Sequence, residues 1–553
     1  MYQNGVKAGS ATRRAALVTA VVLTGAAAAQ QLMIGVGLGG WLPGWQPWPY
    51  LLGAAPAWLL SRSLWMRADL PEPVQRVLIP LRRTPVGVYV AGILLLAAAV
   101  WAWLQDKEPH FAHEEAVYAN KARSWLDGTP DAGWGLYRPV GLPALGRLAL
   151  ALHDDVGALR AVALVLTLFT LTVVYLVAAQ WMSRRRAATV TLLILGGLGF
   201  LRRLPEFLND IGSTGLLLIV VLLLVRAQEK QHSRALLVLP FVTLAAFYLR
   251  YGIVGNLLAI ALAAVLAYGP RAWLAHGRHL AFAAFTLLLG LLPHFVHATR
   301  TTGSPLGIIF WATDQAERSF VGDGLLYYLA IFPYRLAGDL GAVVMAAGLV
   351  AMGAAVRRLR RAPAGEPLPN DRRTAFLGMS AVLICVILGT VTDGEPRFIY
   401  LSVVLLTILG VTEIADRLGS LAPGILTAVA ALAALTVPAT AQVVAHGAMP
   451  APEHLGASTI PVARQLTSDK PCLLVTGYEP EMGWYSGCDA VTYRQYRHMS
   501  PPPHTEVTLV LFERGRLQPG PTALKKLIGD HETTTREIPT GGAIGDATVI
   551  TLR

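Results

Sequence analysis

Residues 105–155 read QDKEPHFAHEEAVYANKARSWLDGTPDAGWGLYRPVGLPALGRLALALHDD, a run of carboxylates and aromatic residues between long apolar segments. Three apolar runs precede this stretch and about ten follow it, several near the minimum length of a membrane helix. Charged side chains are costly in the hydrocarbon core, so a stretch this polar must lie outside the bilayer. At its centre are His113, Glu114 and Glu115, followed by Tyr118 and Lys121.

The composition indicates a polytopic membrane protein. Of the 553 residues, 54% are hydrophobic and only 14% are charged, and the mean hydropathy is +0.50. Soluble domains carry roughly 25% charged residues. The formal net charge is +12, but the basic residues cluster in short loops between apolar runs, as the positive-inside rule requires. The charge therefore sets the membrane topology, and no nucleic-acid partner is expected.

The loop charges predict a mainly α fold of about thirteen membrane helices in the cell membrane. The N-terminus is expected in the cytoplasm and the C-terminus outside it. Arginine clusters at 184–186 and 357–373 mark inner loops. The membrane domain is predicted to cover residues 1–449, with an outer loop at 105–157 and a second outer segment at 298–339.

Residues 450–553 are predicted to form a small extracytoplasmic α/β domain. Its strand-like pieces are PCLLVTG, DAVTY, EVTLVLFERG and DATVITLR, and its helix-like pieces are PEMGWYSG and PTALKKLIGD. Cys472 and Cys488 lie in this domain. A disulfide is permitted outside the cytoplasm, and the sequence leaves open whether these two cysteines pair or stay free.

Glu114 is the candidate general base. A helix over residues 113–126 would place Glu114 and Tyr118 on one face, and such an amphipathic helix would lie at the membrane interface. Apolar surroundings can raise the pKa of a carboxylate and suit it to act as a base. The alternative is a solvated Glu114–Glu115 pair that is stabilised by the dipole of the helix N-terminus.

Other ionisable residues recur at the predicted outer ends of the membrane helices. Any one of them could be an interfacial anchor. Together, arginines opposite a carboxylate pair suit the transfer of a sugar from a lipid-phosphate donor. The carboxylate takes a proton from the acceptor hydroxyl, and the arginines stabilise the departing phosphate. The candidate phosphate-binding residues are Arg397, Arg250 and Arg203. The candidate substrate-binding residues are Tyr118, Lys121, Arg138, Asp210, His294 and Glu395.

Four segments resemble parts of the GT-C glycosyltransferases, in the branch of the protein O-mannosyltransferases and lipid A aminoarabinose transferases. EEAVYA with YRPVGLPAL resembles the first exoplasmic loop of that branch, and RLPEFLNDIG resembles its second outer loop. EPRF resembles a motif before a late span, and GYEPEMGWYSG resembles the tail domain of many members. The resemblance implies a GT-C fold and an inverting transferase that uses a polyprenyl-phosphate-linked sugar on the outer face.

The resemblance also implies roles for three residues. The first carboxylate of the family motif falls on Glu114, as general base, the second on Glu115, and the phosphate-binding arginine on Arg397. The sequence departs from the family by having Glu where Asp is usual, which leaves open which glutamate is the base. Two helices also precede the usual first span, which indicates an N-terminal addition or a divergent subgroup.

Two other functions remain open at this point: a transporter or flippase of lipid-linked saccharides, and a catalytically inactive accessory subunit. Transporters tend to place charges near the bilayer midplane and to contain repeats, whereas these charges lie at the outer ends of spans. The acceptor could be a lipid, a glycan or a protein, and membrane lipids surround the chain. No cofactor is assigned and no metal cage is seen, although Glu114 and Glu115 could hold Mg²⁺ or Ca²⁺ through oxygen ligands.

Overall fold

A computed structural model describes most of the chain, and everything below concerns the residues it describes. These are residues 2–35, 47–61, 83–106, 110–127, 137–230, 233–314, 322–363, 366, 368–392, 394–419, short pieces between 429 and 441, 455–468, 470–501 and 503–552.

The part of the chain before residue 420 is helical. Its helices are α1 (Tyr2–Gly35), α2 (Trp48–Leu60), α3 (Val86–Gln105), α4 (His113–Asp127), α5 (Gly141–Leu150), α6 (Val156–Ala178), α7 (Arg184–Leu195), α8 (Leu198–Arg203), α9 (Asp210–Glu229), α10 (Ala235–Leu249), α11 (Val254–Tyr268), α12 (Pro270–Leu274), α13 (Gly277–Thr302), α14 (Gly307–Asp314), α15 (Asp323–Arg361), α16 (Pro369–Val391) and α17 (Tyr400–Leu418). Short 3-10 turns precede α11 and α17, at Tyr251–Ile253 and Pro396–Ile399. A left-handed backbone at Gly338 (φ 67°) kinks α15.

Eight helices among the described residues are long and apolar enough to cross a membrane. Two shorter apolar helices, Pro49–Leu60 and Ala235–Leu249, accompany them. The prediction of a mainly α, multi-pass membrane protein is confirmed. The predicted count of thirteen is not, and the last predicted span, at 421–444, lies mostly outside the described residues.

The membrane helices pack closely where they carry glycine. A Cβ atom on Gly348 of α15 would overlap the carbonyl oxygen of Leu406 in α17, and one on Gly410 would overlap the carbonyl oxygen of Val344. Small residues let helix backbones approach in this way, which replaces the hydrophobic driving force that lipid does not provide. The close α15–α17 contact fixes α17, and Arg397 lies in the 3-10 turn directly before this helix.

Residues 455–552 contain a five-stranded mixed sheet flanked by short helices. The elements are α18 (Leu455–Gln465), β1 (Cys472–Val475), α19 (Glu479–Ser486), β2 (Asp489–Val491), α20 (Tyr493–Tyr496), β3 (Glu506–Phe512), α21 (Pro521–Ile528), β4 (Thr533–Ile538) and β5 (Ala547–Leu552). The strand order is β2-β1-β3-β5-β4, with β1 parallel to β2 and β3, and β5 antiparallel to β3 and β4.

Both faces of this sheet are covered. Leu474 and Val510 pack into one buried cluster, and Leu473 and Leu509 pack into another, because successive side chains of a strand point to opposite faces. Every predicted strand and helix of this region forms. The sequence does not predict α18 or the edge strand β4, whose residues are exposed except for the last.

Cys472 and Cys488 form a disulfide. It joins the start of β1 to the residue pair that follows α19, so it closes the segment that carries this helix. The pairing that the sequence left open is therefore present in the structure.

Helix α4 lies between the membrane helices and this C-terminal region. It packs against α5 on one side and against α19 on another, and residues 115–119 are all buried. The predicted helix is confirmed, and its predicted place at the membrane interface stays a prediction. Protein covers α4, because α19 occupies a face that would otherwise meet lipid headgroups or water.

Candidate active site

Glu114 and Arg397 form the central contact of the site. Arg397 donates to both carboxylate oxygens of Glu114, from Nη2 to Oε1 at 2.7 Å and from Nη1 to Oε2. A guanidinium and a carboxylate match in this two-point geometry. Glu114 lies in the first turn of α4, and Arg397 lies in the 3-10 turn before α17. The pair thus joins two segments that are 283 positions apart in the chain.

Asp210, at the start of α9, links two of the predicted arginines. Its Oδ1 lies 2.7 Å from Nη1 of Arg250, and its Oδ2 lies 3.9 Å from Nη1 of Arg397. The Asp210 side chain is only 3% exposed. A carboxylate buried this deeply needs such cationic partners to stay ionised.

The third predicted arginine belongs to the same network. Arg203 Nη1 lies 2.5 Å from Glu206 Oε2, and its Nη2 lies 3.9 Å from Glu395 Oε2. Glu395 Oε2 in turn lies 3.5 Å from Nε of Arg397. The structure therefore brings all three predicted phosphate-binding arginines together with Glu114, Asp210 and Glu395.

The pKa of Glu114 differs from the prediction. Burial acts to raise the pKa of this carboxyl, but the charge and hydrogen bonds of Arg397, with the charges of Arg138 and Arg203, hold it well below its usual range. The expected rise is therefore wrong for the protein without substrate. The apolar surroundings exist, but the guanidinium in direct contact outweighs them.

Glu115 has a different environment. Its Oε1 accepts from Arg160 Nε at 3.0 Å and from the Phe207 amide at 2.7 Å. Its Oε2 accepts from Arg160 Nη2 at 2.9 Å and from the Ala112 amide at 3.1 Å. Glu115 is 1% exposed. Each oxygen accepts two hydrogen bonds, which uses the acceptor capacity of a carboxylate. This geometry suits a structural role.

Tyr118 lies one turn after Glu114 and is buried. Its hydroxyl accepts from Asn209 Nδ2 at 3.0 Å, and Asn209 also donates to the Leu249 carbonyl at 2.7 Å. Burial raises the pKa of the Tyr118 hydroxyl. Asn209 therefore positions Tyr118 beside the charged network and ties it to the end of α10.

Arg138 and Lys121 lie on the side of the site next to Tyr118. The guanidinium carbon of Arg138 lies 5.6 Å from the centroid of the Tyr118 ring. Lys121 is buried, and its Nζ donates to the Arg138 carbonyl at 3.1 Å. Lys121 thus supports the segment that carries Arg138, and the predicted substrate-binding role of both residues stays a prediction.

His294 lies among aromatic side chains of the membrane helices. Its ring centroid is 4.8 Å from that of Phe247 and 4.6 Å from that of Tyr251, and the residue is 2% exposed. Within the described residues, neither ring nitrogen has a hydrogen-bond partner. The structure does not join His294 to the charged network, and its role in substrate binding stays a prediction.

In the described ranges, no group of three or more His, Cys, Asp and Glu side chains is arranged to hold a metal ion. The carboxylates of Glu114 and Glu115, which the sequence offered as oxygen ligands, each face an arginine instead.

Two residues that the sequence reasoning missed are Arg160 and Asn209. Arg160 is 1% exposed and pairs with Glu115. An arginine inside an apolar run is a signal in itself, because the bilayer tolerates it only with a partner. Asn209 has no comparable signal, because its contacts to Tyr118 and Leu249 depend on the tertiary fold.

Residues 137–297 match the family model of dolichyl-phosphate-mannose-protein mannosyltransferases. Among solved structures, ArnT from Cupriavidus metallidurans bound to undecaprenyl phosphate superposes with a TM-score of 0.59 at 14% sequence identity. The alignment covers 84% of this chain and 98% of that one. The chain therefore has the fold of the GT-C glycosyltransferases and is similar to their PMT-like branch.

Two further comparisons were made. The apo oligosaccharyltransferase of Archaeoglobus fulgidus aligns with this chain at 11% identity, over 83% of this chain and 74% of that one, with a TM-score of 0.47. The comparison with curated protein sequences gave no match. The predicted fold is confirmed by the ArnT superposition, and the family model matched by residues 137–297 supports glycosyltransferase activity in general.

Proposed function

We propose that this GT-C protein is an inverting glycosyltransferase that moves a sugar from a polyprenyl-phosphate donor to a hydroxyl group of a lipid, glycan or protein of the cell envelope. The observation that carries the proposal is the two-point contact of Glu114 with Arg397 inside a cluster of arginines. It places a candidate base next to the strongest candidate phosphate ligand. Glu114 is 33% exposed, whereas Glu115 is 1% exposed, so Glu114 is the glutamate that an acceptor can reach.

The charges of the cluster are balanced before a donor binds. Four arginines (Arg138, Arg203, Arg250 and Arg397) face four carboxylates (Glu114, Asp210, Glu206 and Glu395). An incoming phosphate brings a further negative charge, and it must compete with a carboxylate for an arginine. Glu114 occupies two nitrogens of Arg397 and is 33% exposed, so it is the carboxylate that a phosphate would displace.

This competition would couple donor binding to base strength. While Arg397 holds Glu114, the low pKa of that carboxyl makes it a poor proton acceptor. A donor phosphate on Arg397 would neutralise the guanidinium charge, and the pKa of Glu114 would rise towards its ordinary range. Glu114 would then become an effective base only when the donor is in place.

The proposed reaction is a single displacement at the anomeric carbon. The acceptor oxygen forms a bond to this carbon as the bond from the carbon to the phosphate oxygen breaks, and the electron pair of that bond leaves with the polyprenyl phosphate. The acceptor proton passes to Glu114. The donor phosphodiester carries one negative charge and the released monoester gains a second, so Arg397, Arg250 and Arg203 would stabilise the charge that develops.

The site is expected on the outer face of the membrane. The residues of the cluster come from segments that the charge pattern places outside the cytoplasm, and they lie together beside the C-terminal region. Basic residues of the predicted inner loops pair separately, as in Arg358 with Asp371 and Arg373 with Glu229. This separation supports the predicted orientation of the chain.

The test is donor cleavage by purified protein in lipid nanodiscs. Polyprenyl-phosphate sugars would be supplied with a cell-envelope extract, and release of free polyprenyl phosphate and of glycosylated product would be followed by mass spectrometry. We expect release that requires acceptor and that is lost in Arg397→Gln. Transport of the donor across a vesicle membrane without cleavage of its sugar–phosphate bond would instead support the flippase alternative.

A further inference from the structure

Helix α19 of the C-terminal region contacts α4 along one side. Asn120 Nδ2 donates to the Pro480 carbonyl at 2.8 Å, and Arg123 Nη1 donates to the Trp484 carbonyl at 3.0 Å. The guanidinium of Arg123 also lies 3.5 Å from the centroid of the Trp484 ring. The Trp484 carbonyl belongs to the last turn of α19, where carbonyls lack helical partners and a cation is favourable.

A second set of contacts holds the first turn of α4. His113 Nδ1 lies 3.0 Å from Glu481 Oε2 and 2.8 Å from Arg516 Nη2. Just before the helix, the Phe111 amide donates to the Tyr485 hydroxyl at 2.7 Å. His113 directly precedes Glu114 in the chain, so the C-terminal region contacts the neighbour of the proposed base.

The two helices approach closely at Gly483. A Cβ atom at this position would lie 3.6 Å from Asn120 Nδ2 and 3.2 Å from the Cβ of Ala490. A larger side chain there would meet α4 on one side and β2 on the other.

The helical period separates three faces of α4. His113, Asn120 and Arg123 face α19; Glu114, Tyr118 and Lys121 line the proposed active site; and Glu115, Ala119 and Ala122 face the membrane helices. The face that contacts α19 shares no residue with the face that carries Glu114. Changes at the first face therefore leave the chemical groups of the second in place.

The covalent structure fixes α19 on its sheet. The Cys472–Cys488 disulfide closes the segment that contains this helix, and Cys488 packs in the buried cluster that also holds Met482 of α19. The helix is thus attached firmly to the sheet on one side and to α4 on the other.

We propose that α19 is a positioning element of the active site, which holds the first two turns of α4 in the rotation that directs Glu114 at Arg397. The inference rests on the proposed function, since it gives His113 and Asn120 a role through Glu114. Without α19, Glu115 and the packing of α4 on α5 would still hold this helix, but the side that bears His113 would lose its contacts, and a small rotation of α4 would move Glu114. A displacement of about 1 Å can cost a catalytic group 100-fold in rate.

The test is the double variant His113→Ala/Asn120→Ala, in nanodiscs, compared with Arg536→Ala. Arg536 is exposed and donates to the Gln465 carbonyl elsewhere in the C-terminal region, so it serves as a matched control. Amide hydrogen exchange would be followed in peptides that cover residues 110–124, together with kcat, the donor KM and binding of undecaprenyl phosphate. We expect exchange at residues 116–120 to become at least about tenfold faster in the double variant and kcat to fall at least about tenfold, with KM and undecaprenyl phosphate binding within about twofold of wild type.

Glu481→Ala removes the same contact from the α19 side and should reproduce part of both effects. His113→Gln keeps a hydrogen-bond donor, so its exchange rates and kcat should stay near those of wild type. Exchange rates equal to those of Arg536→Ala would overturn the inference, as would faster exchange with unchanged kcat. A wild-type protein that transfers no sugar would overturn the proposed function instead. The exchange rates would then still decide whether α19 holds α4.

Discussion

Glu114 and Glu115 are neighbours in the chain, yet the fold gives them different surroundings. Glu114 faces a network of arginines and is partly exposed, whereas Glu115 is enclosed by Arg160 and two backbone amides. The family motif alone could not separate them. The hydrogen-bond partners of each oxygen support Glu114 as the base and Glu115 as the anchor of α4.

Glutamine substitutions should separate the two roles. Glu114→Gln removes the proposed base and should lower kcat by at least about 100-fold, the usual range for a general base, with little effect on folding. Glu115→Gln breaks a buried ion pair and should destabilise the fold by about 3–5 kcal/mol. Turnover and thermal unfolding would be measured for both, with Glu413→Gln, which changes the half-buried partner of exposed Arg417, as control. Equal loss of activity with unchanged unfolding in both variants would contradict this assignment.

The pH dependence of transfer should report the coupling between donor and base. Glu114 must be ionised to accept a proton, so the rate should fall as the pH falls through its pKa. In the free protein that pKa lies well below the usual range because of Arg397, and a bound donor phosphate should raise it. The acid limb of the kcat profile should therefore lie at higher pH than that of kcat/KM for the donor. Coinciding limbs would argue against competition for Arg397.

Glu479 gives the C-terminal region a pH-dependent stability. It is 2% exposed, its neighbours His113, Glu481 and Arg516 offset each other, and within the described residues neither carboxylate oxygen has a hydrogen-bond partner. Burial raises the pKa of the Glu479 carboxyl to about 7 from a usual value of 4.5. The folded state thus binds this proton more tightly than the unfolded chain, and stability falls as the pH rises through that window.

Glu479→Gln should remove this pH dependence. Above pH 7 the ionised Glu479 costs about 3 kcal/mol of folding free energy relative to low pH, and glutamine cannot ionise. Thermal unfolding between about pH 5 and pH 8 should show the wild-type Tm falling relative to that of the variant, which should be the more stable protein at the upper end. Parallel curves would show that Glu479 is not the group responsible.

Among the elements, those with strong periodicity were predictable and those made by tertiary contacts were not. Helix α4 was predicted at residues 113–126 and is observed as His113–Asp127. Strand β4 was missed because its solvent-exposed residues TTTREI lack apolar alternation, and it forms by pairing with β5. The contact of α19 with α4 could not be predicted either, because residues of no distinctive type meet across 360 and 361 positions of the chain.

The disulfide should contribute to the stability of the C-terminal region in proportion to the loop it closes. Its cysteines are 16 positions apart, for which the loss of chain entropy in the unfolded state corresponds to about 3 kcal/mol. Cys472→Ser/Cys488→Ser should therefore lower the midpoint of thermal unfolding, and reduction should lower that of the wild type only. Cys385→Ser, which changes the free cysteine of α16, is the control. An unchanged midpoint in the double variant would mean that the sheet packing alone stabilises the segment.

For the whole molecule, the class of fold and the grouping of charges could be predicted from the sequence. The contact of the C-terminal region with α4, beside the candidate active site, could not. Arg397 and Asp210 were found because each precedes or begins an apolar helix, and Glu114 because it lies in the polar stretch between apolar runs. Their mutual distances could not be predicted, because they depend on how α4, α9 and α17 pack.

Orientation in the membrane can be tested by labelling. In a Cys385→Ser background, Lys525→Cys places a thiol on exposed α21, and Arg357→Cys places one at the exposed end of α15. On intact cells, a membrane-impermeant maleimide should label position 525 at once and position 357 only after permeabilisation. Labelling in the reverse order would place the proposed active site in the cytoplasm and contradict its use of an outer-face donor.

The Arg160–Glu115 pair also bears on how the protein is made. Arg160 lies near the start of α6, inside a segment that must enter the membrane, and Glu115 precedes it by 45 positions. In the proposed orientation, Glu115 has already been synthesised and moved to the outer face of the membrane when α6 reaches the insertion machinery. The Glu115 carboxylate is then already present when Arg160 enters the membrane, so α6 can insert without an unpaired arginine in lipid. The order of synthesis matches the order in which this ion pair must form.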